Sequence, residues 1–304
     1  MRVIDVAPPA SGFALVLHGG AGGRDSVLTV EEERLYSAGL AGAYRAGQVV
    51  LATGGSALDA VCATVKELEN CVLFNAGRGA ALTARGEAEL DASVMTGDGR
   101  AGAVAVTRHA KNPIFAARKV LEETAHVLLV APGETLLSEW GLEIEESSYF
   151  VTDSRRQQLA KVQAKELAQS RHGTVGAVAV DKHGHVASAT STGGMVNQHE
   201  GRVGDTPVIG AGSYARDGVV AVSCTGEGEA FIQGVVAHDV YARMHYAGAA
   251  LPDAVRGTIE AELNGRDADG GLIAVGADGR VVVAYNSSAM FAAYEESGEL
   301  VTLT

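Results

Sequence analysis

Gly173-Thr174-Val175-Gly176-Ala177-Val178-Ala179-Val180-Asp181-Lys182-His183-Gly184 is the stretch around which the rest of the chain is organised. A threonine at the head of an apolar run is, taken alone, a β-branched residue suited to a pleated strand. Its surroundings add more. Before it lies a polar stretch from about Thr152 to His172, rich in Arg, Gln, Lys and Ser. After it come Ser191-Thr192-Gly193-Gly194 and Cys224-Thr225-Gly226, each following its own short apolar run. A polar connection feeding a Gly-Thr step suits a chain that is cut there, leaving Thr174 as a new N-terminus. Such a residue brings its own general base, because its free α-amine can accept the hydroxyl proton.

Working outward, Thr174 to Val180 and His185 to Thr192 read as a hairpin turning at Asp181–Gly184. Phe13-Ala-Leu-Val-Leu-His18 reads as a buried strand entering a glycine loop, Gly19–Gly23. Thr29-Val-Glu-Glu32 has the form of a capping box and opens a helix to about Leu51, and Ser56 opens a second one. Asn112-Pro113 starts a helix to about Thr124, followed by a strand at His126–Val130. Leu82–Leu90, Gly102–Thr107 and Val219–Ser223 read as strands, and residues 229–246 as one helix. Pro252 begins another helix, and Gly271–Val275 with Val281–Tyr285 form a last hairpin. Strands, helices and strands recur in each half with antiparallel hairpins. That order predicts an α+β fold with sheets sandwiched between helix layers.

Composition narrows the function classes. The 304 residues are 47% hydrophobic and 20% charged, with 39 glycines and few aromatics. This is a globular composition with many tight turns. A net charge of −13 argues against nucleic acid as a partner, since nucleic acid selects basic faces. Cys62, Cys71 and Cys224 form no CxxC pair and are odd in number, which predicts free thiols and a reducing, cytoplasmic setting. Met1-Arg-Val-Ile-Asp-Val-Ala-Pro-Pro9 has no apolar signal-peptide core, and no run approaches a membrane span.

Several familiar sites are excluded: there is no G-x-S-x-G elbow, no H-E-x-x-H and no phosphate-binding GxxxxGK[ST] loop. The glycine clusters at Gly19 and Gly77 lack full dinucleotide spacing, and His183-Gly-His185 reads as a hairpin turn. What remains occurs in series: His18-Gly-Gly-Ala-Gly22, Leu73-Phe-Asn-Ala-Gly77, Glu89-Leu-Asp-Ala-Ser-Val-Met95, Gly173-Thr-Val-Gly-Ala-Val178, Ser191-Thr-Gly-Gly-Met195, Gly201-Arg-Val-Gly-Asp205, Gly210-Ala-Gly212 and Cys224-Thr-Gly-x-Gly-Glu229. Over about residues 13–290 this closely resembles the plant-type L-asparaginase/isoaspartyl aminopeptidase family of N-terminal-nucleophile hydrolases.

The resemblance implies a four-layer αββα fold in one domain, 1–304, and self-cleavage into an α chain 1–173 and a β chain 174–304. Thr174 would attack the Gly173 carbonyl and then serve as nucleophile, with its α-amine as base. Thr192 would hydrogen-bond its hydroxyl or amine, and Thr225 with the Gly226 N–H would hold the oxyanion. Arg202 would take the substrate carboxylate, Asp205 the ammonium, and Asn75 would help nearby. Leu68, Glu69, Cys71, Phe74, Ala76 and Arg78 would bind a structural sodium ion, largely through backbone carbonyls; no other cofactor is implied. His18 and its glycines would form a loop beside the site that matters for maturation; a buried, satisfied histidine is the alternative.

The implied substrates are L-asparagine and β-aspartyl dipeptides, and the implied assembly is a homodimer of αβ units. A glycosylasparaginase-type amidase and a single-chain amino-acid binder that never cleaves are the rival readings. The chain departs from the family pattern in a short tether, in His172, in the charged Arg78, and in Glu227. The last would repel acidic leaving groups if its side chain faces the site.

Overall fold

Period-two alternation decides which side chains meet in this molecule. The computed structural model describes residues 1–22, 27–165 and 173–304. Among them lie strands β1 (Arg2–Val6), β2 (Ala14–Gly22), β3 (Leu90–Thr96), β4 (Ala101–Thr107), β5 (Leu128–Val130), β6 (Val175–Val180) and β7 (Val186–Thr192). β8 (Ser213–Arg216), β9 (Val220–Gly226), β10 (Gly270–Gly276), β11 (Val281–Tyr285), β12 (Ala289–Glu296) and β13 (Glu299–Leu303) complete them. One sheet runs β1-β11-β10-β9-β8 and the other β13-β12-β2-β6-β7-β3-β4-β5. All pairings are antiparallel except β4 with β5.

The two sheets pack face to face, with Val16, Val178, Val186, Ala221, Ile273 and Val283 between them. The opposite faces carry helices. Leu15, Leu17, Val175, Ala177 and Ala189 turn outward and meet α1 (Val30–Ala52), α2 (Ala57–Asn70) and α3 (Pro113–Glu123). Val222, Cys224 and Leu272 meet α7 (Gly228–Gly234), α8 (Val236–Ala247) and α9 (Leu251–Thr258). The result is the four-layer αββα sandwich. Between α3 and β6 the chain forms α4 (Glu134–Glu139), α5 (Ser147–Phe150) and α6 (Asp153–Gln163), the last two packed on a small separate cluster around Leu82, Leu90 and Phe150. Residues 166–172, including His172, lie outside the described residues.

Local chemistry accounts for many of the boundaries. Glu32 N donates to the Thr29 hydroxyl at 3.2 Å and Thr29 N donates to Glu32 at 2.8 Å, so the capping box that opens α1 is complete. Ser56 caps α2 and Pro113 occupies the first turn of α3.

Four expectations change. His18 to Gly22 is not a loop but the end of β2, paired with β12 on one side and, at His18, with β6 on the other; Gly23 lies outside the described residues. Residues 82–89 form turns with one isolated bridge at Thr83, and the strand starts only at Leu90. The strand expected from His126 is shorter, Leu128–Val130. The expected helix 229–246 breaks at Val235, whose φ is 48°. The break frees the N–H groups of Ala237 and His238 to donate to the Ala211 and Gly210 carbonyls at 3.1 and 2.8 Å.

Candidate active site

Alternation along β6, β7, β9 and β2 sends a second set of residues between the sheets at one end of the sandwich. Val175 and Ala177 face the helices, so Thr174 and Gly176 face inward. The same phase holds for Thr190 and Thr192 on β7, Ser223 and Thr225 on β9, and His18 on β2. Val175 pairs with Ser191, so continuing the antiparallel register sets Thr174 beside Thr192. The Thr174 hydroxyl donates to the Thr192 hydroxyl at 3.2 Å, and that oxygen also accepts from Gly194 N at 3.0 Å. Thr192 therefore presents lone pairs, not its proton, to Thr174.

Behind Thr174 a buried polar chain holds it in place. His18 lies 3.0 Å through Nδ1 from the Thr174 carbonyl oxygen and 2.9 Å through Nε2 from the Ser223 hydroxyl, which is 2.8 Å from that of Thr190. Burial pushes the imidazole down to about 3, outweighing the raising effect of the Thr174 carbonyl, so the ring is neutral near pH 7. A carbonyl only accepts, so Nδ1 carries the proton. Nε2 must then accept from Ser223, and Ser223 from Thr190. The order of donation is Thr190 to Ser223 to His18 to Thr174. Gly176 makes room for it, because a Cβ there would sit 2.0 Å from Ser223 Oγ and 2.5 Å from His18 Nε2. His18 is thus a buried, satisfied histidine.

The Gly173–Thr174 peptide is equally confined. Gly173 has φ of 136°, a conformation that disfavours a side chain, and a Cβ would lie 2.3 Å from that of Asn75. Asn75 is locked from both ends: its Nδ2 donates to the Gly194 carbonyl at 2.7 Å and its Oδ1 accepts from Ala81 N at 2.6 Å. It braces the turn after Thr192 and packs against Gly173.

A narrow cleft brings Gly173, Thr174, Thr192, Arg202, Asp205 and Gly226 together. Thr225 does not line it; its buried hydroxyl accepts from Ala21 N at 3.1 Å. Arg202 donates from Nε and Nη2 to Glu229 at 2.8 and 2.9 Å, and from Nη1 to Gln198 at 3.2 Å. Each terminal nitrogen keeps one further N–H for a ligand. Asp205 is buried, and its Oδ2 has no partner among the described residues. Burial raises its carboxyl to about 7; Arg202 opposes the rise, while Glu229 and Asp91 add to it. An orphaned buried carboxylate oxygen suits an incoming cation.

Glu227 is not where a selectivity role would need it. It does not line the cleft, and its carboxylate accepts from Asp269 N at 3.1 Å. Arg78 likewise turns outward, its guanidinium 5.2 Å from the centre of the Tyr149 ring, so only its backbone belongs to the loop after α2. Within that loop Leu68, Cys71 and Ala76 carbonyls accept from Cys71, Phe74 and Gly79 N at 3.1–3.3 Å, each with a second lone pair left. A Cβ on Gly77 would meet the Glu69 carbonyl oxygen at 2.5 Å, and one on Gly79 the Phe74 oxygen at 2.1 Å. The Glu69 carboxyl is turned elsewhere, to Ile114 N and Ser191 at 3.0 and 2.7 Å. Neutral carbonyl oxygens with free lone pairs are the donor type a hard monovalent cation takes.

Ser223, Thr190, Gln198 and Glu229 were not singled out by sequence reasoning. Ser223 and Thr190 lie two residues before Thr225 and Thr192, so period-two counting from those threonines would have found them. Gln198 reaches Arg202 from four residues earlier in the same connection and Glu229 from the first turn of α7, a pairing that no local spacing reports.

Comparison with known proteins agrees with this geometry. Residues 11–304 match the family described as Asparaginase. The chain is 43% identical over 302 residues to the isoaspartyl peptidase of Salmonella typhimurium, covering 95% of this chain and 96% of that one. It is 40% identical to the isoaspartyl peptidase of Escherichia coli, over 95% of this chain and 94% of the other. With the probable isoaspartyl peptidase/L-asparaginase 2 of Arabidopsis thaliana it shares 40% identity over 92% and 94% of the two chains. The chain belongs to the L-asparaginase/isoaspartyl peptidase family of N-terminal-nucleophile hydrolases.

Proposed function

We propose that this protein cuts itself between Gly173 and Thr174 and then hydrolyses the β-amide of L-asparagine and of isoaspartyl dipeptides, releasing L-aspartate. One observation carries the reading: the Thr174 hydroxyl, bonded to Thr192, shares a cleft with Arg202 and with Asp205, whose Oδ2 has no partner among the described residues. The names of the relatives support the substrate class.

In maturation the Thr174 Oγ bonds to the Gly173 carbonyl carbon, the Gly173–Thr174 C–N bond breaks, and the freed nitrogen takes a proton. Water then cleaves the ester, leaving Gly173 as a carboxylate and Thr174 with a free hydroxyl and α-amine. In turnover the α-amine accepts the hydroxyl proton as Oγ adds to the β-carbonyl carbon. The Gly226 N–H, which does line the cleft, holds the oxyanion, and the same proton passes to the departing amine. Water attacks the aspartyl ester and regenerates Thr174. Arg202 and Asp205 hold the α-carboxylate and α-ammonium throughout.

Carbonyl oxygens of the loop from Leu68 to Arg78 would hold a sodium ion, fixing the backbone that carries Asn75. The resemblance also supports a dimer of αβ units.

The direct test is incubation of the purified protein with β-Asp-Leu, L-asparagine and N-acetylglucosaminyl-asparagine. Aspartate release from the first two is expected. Turnover of the glycosylated substrate alone would replace this reading with a glycosylasparaginase, and a single chain that binds aspartate without turnover would make it a binder.

The pH dependence follows from Asp205. An ammonium is held only by the ionised carboxylate, so KM is expected to rise as pH falls through about 7. Between pH 8 and pH 6 the ionised fraction changes about tenfold, and KM for L-asparagine should change by about that factor. The kcat profile should instead follow the Thr174 α-amine, which must be neutral to act as base. A KM that stays flat from pH 6 to pH 8 would remove Asp205 from ammonium binding.

A further inference from the structure

Arg202 and Asp205 sit on a loop without regular structure, yet they must present two charges to one α-carbon. What holds that loop comes from a different part of the chain. Glu89 and Asp91 stand two residues apart at the start of β3 and are both buried. Glu89 Oε2 accepts from Gly201 N at 2.8 Å, while its Oε1 accepts from Arg108 at 2.5 Å. Asp91 accepts from Val106 N at 2.8 Å through Oδ1, and the Gly204 backbone N–H lies near enough to its carboxylate to favour the ionised form. Glu89 therefore grips the N–H before Arg202-Val203, and the Asp91 carboxylate faces the N–H after it, immediately before Asp205.

Both acids are anchored in turn. Arg108, a neighbour of Glu87 as well, neutralises Glu89. Val106 is a β-branched residue at φ of 56°, a rare conformation, and its N–H points at Asp91 across an irregularity in the β3–β4 pairing. Glu89 and Asp91 line no part of the cleft, so they cannot touch a substrate held there.

We propose that Glu89 and Asp91 are positioning residues for the amino-acid end of the substrate, holding the Gly201–Gly204 backbone so that Arg202 and Asp205 are set before a ligand arrives. This rests on the hydrolase reading above. Without the two anchors the loop must be ordered by the ligand itself, which weakens binding. Displacements near an ångström are enough to cost up to about a hundredfold in such sites. The scissile peptide is confined by Gly20, Asn75 and Thr192 instead, so maturation does not depend on the anchors.

The test uses the full chain with Glu89→Gln and Asp91→Asn, each keeping side-chain shape and one carbonyl acceptor. Maturation is followed by intact mass, kcat and KM with L-asparagine and β-Asp-Leu, and aspartate binding by calorimetry. Cleavage within about twofold of wild type, kcat within about threefold, and KM and aspartate Kd both raised about 10- to 50-fold are expected. Unchanged KM and Kd in either variant would overturn the proposal, as would a loss of maturation and kcat in step with KM. If Asp91→Asn does not fold, Glu89→Gln alone decides. Wild type that binds aspartate but hydrolyses neither substrate overturns the hydrolase reading, while the Kd comparison still tests the anchors. Wild type that binds no aspartate overturns both.

Discussion

Thr174→Ala is expected to remain one chain by intact mass, fresh and after days at neutral pH, and to lose at least about 10⁴-fold in turnover. The substitution removes the hydroxyl and the γ-methyl from a buried position whose neighbours are otherwise fixed, so the fold should survive. Thr192 would keep its bond from Gly194, and His18 would keep the Thr174 backbone carbonyl. Both chemical steps, by contrast, need that oxygen as the nucleophile. Thr174→Ser keeps it and should still mature and turn over, more slowly because the γ-methyl that limits rotamers is gone. Thr192→Ala should be intermediate, losing about 10²-fold, because the hydroxyl of Thr174 then has no acceptor to orient it. Two chains meeting at residue 174 in the alanine variant would show that another group cuts the chain.

The same residues show what could be read from sequence and what could not. Thr174 was accessible because a Gly-Thr step between a polar connection and an apolar run is a local pattern. Thr192, Arg202, Asp205 and Gly226 followed from resemblance and fall in one cleft with it. His18-Gly-Gly was misread as a loop because three small or polar residues look like a strand's end. Their pairing with β12 comes from a segment more than 250 residues away. The hairpin of β12 and β13 passed unnoticed for a related reason. Its residues alternate weakly, and the edge strand β13 is only half-buried. The expected helix broke at Val235, one residue after Gly234, and what favours the break is the set of N–H groups it offers to the loop at Gly210. Side-chain direction was the least accessible quantity of all. Glu227 and Arg78 raised expectations by their charge, yet both turn toward partners, Asp269 and Tyr149, that no local pattern names.

Arg202→Ala should separate binding from chemistry. The matured variant is expected to show KM for L-asparagine raised roughly 10²- to 10³-fold, with kcat changed far less and maturation intact. The magnitude follows from losing one partner of a partly buried, hydrogen-bonded charge pair, about 2–5 kcal/mol. Two features favour the upper part of that range for the ligand and a small effect on the fold. Glu229, which Arg202 grips from Nε and Nη2, is largely exposed and would be solvated when released. The substrate carboxylate, in contrast, would face the buried Asp205 with no cation to offset it. Arg202→Lys should recover little, since an ammonium cannot hold Glu229, Gln198 and a ligand carboxylate in one plane. If Arg202→Ala left KM unchanged while lowering kcat, the guanidinium would belong to the reacting centre and the substrate carboxylate would need another partner. Steady-state kinetics on the two Arg202 variants, with L-asparagine and β-Asp-Leu in parallel, decide between these outcomes.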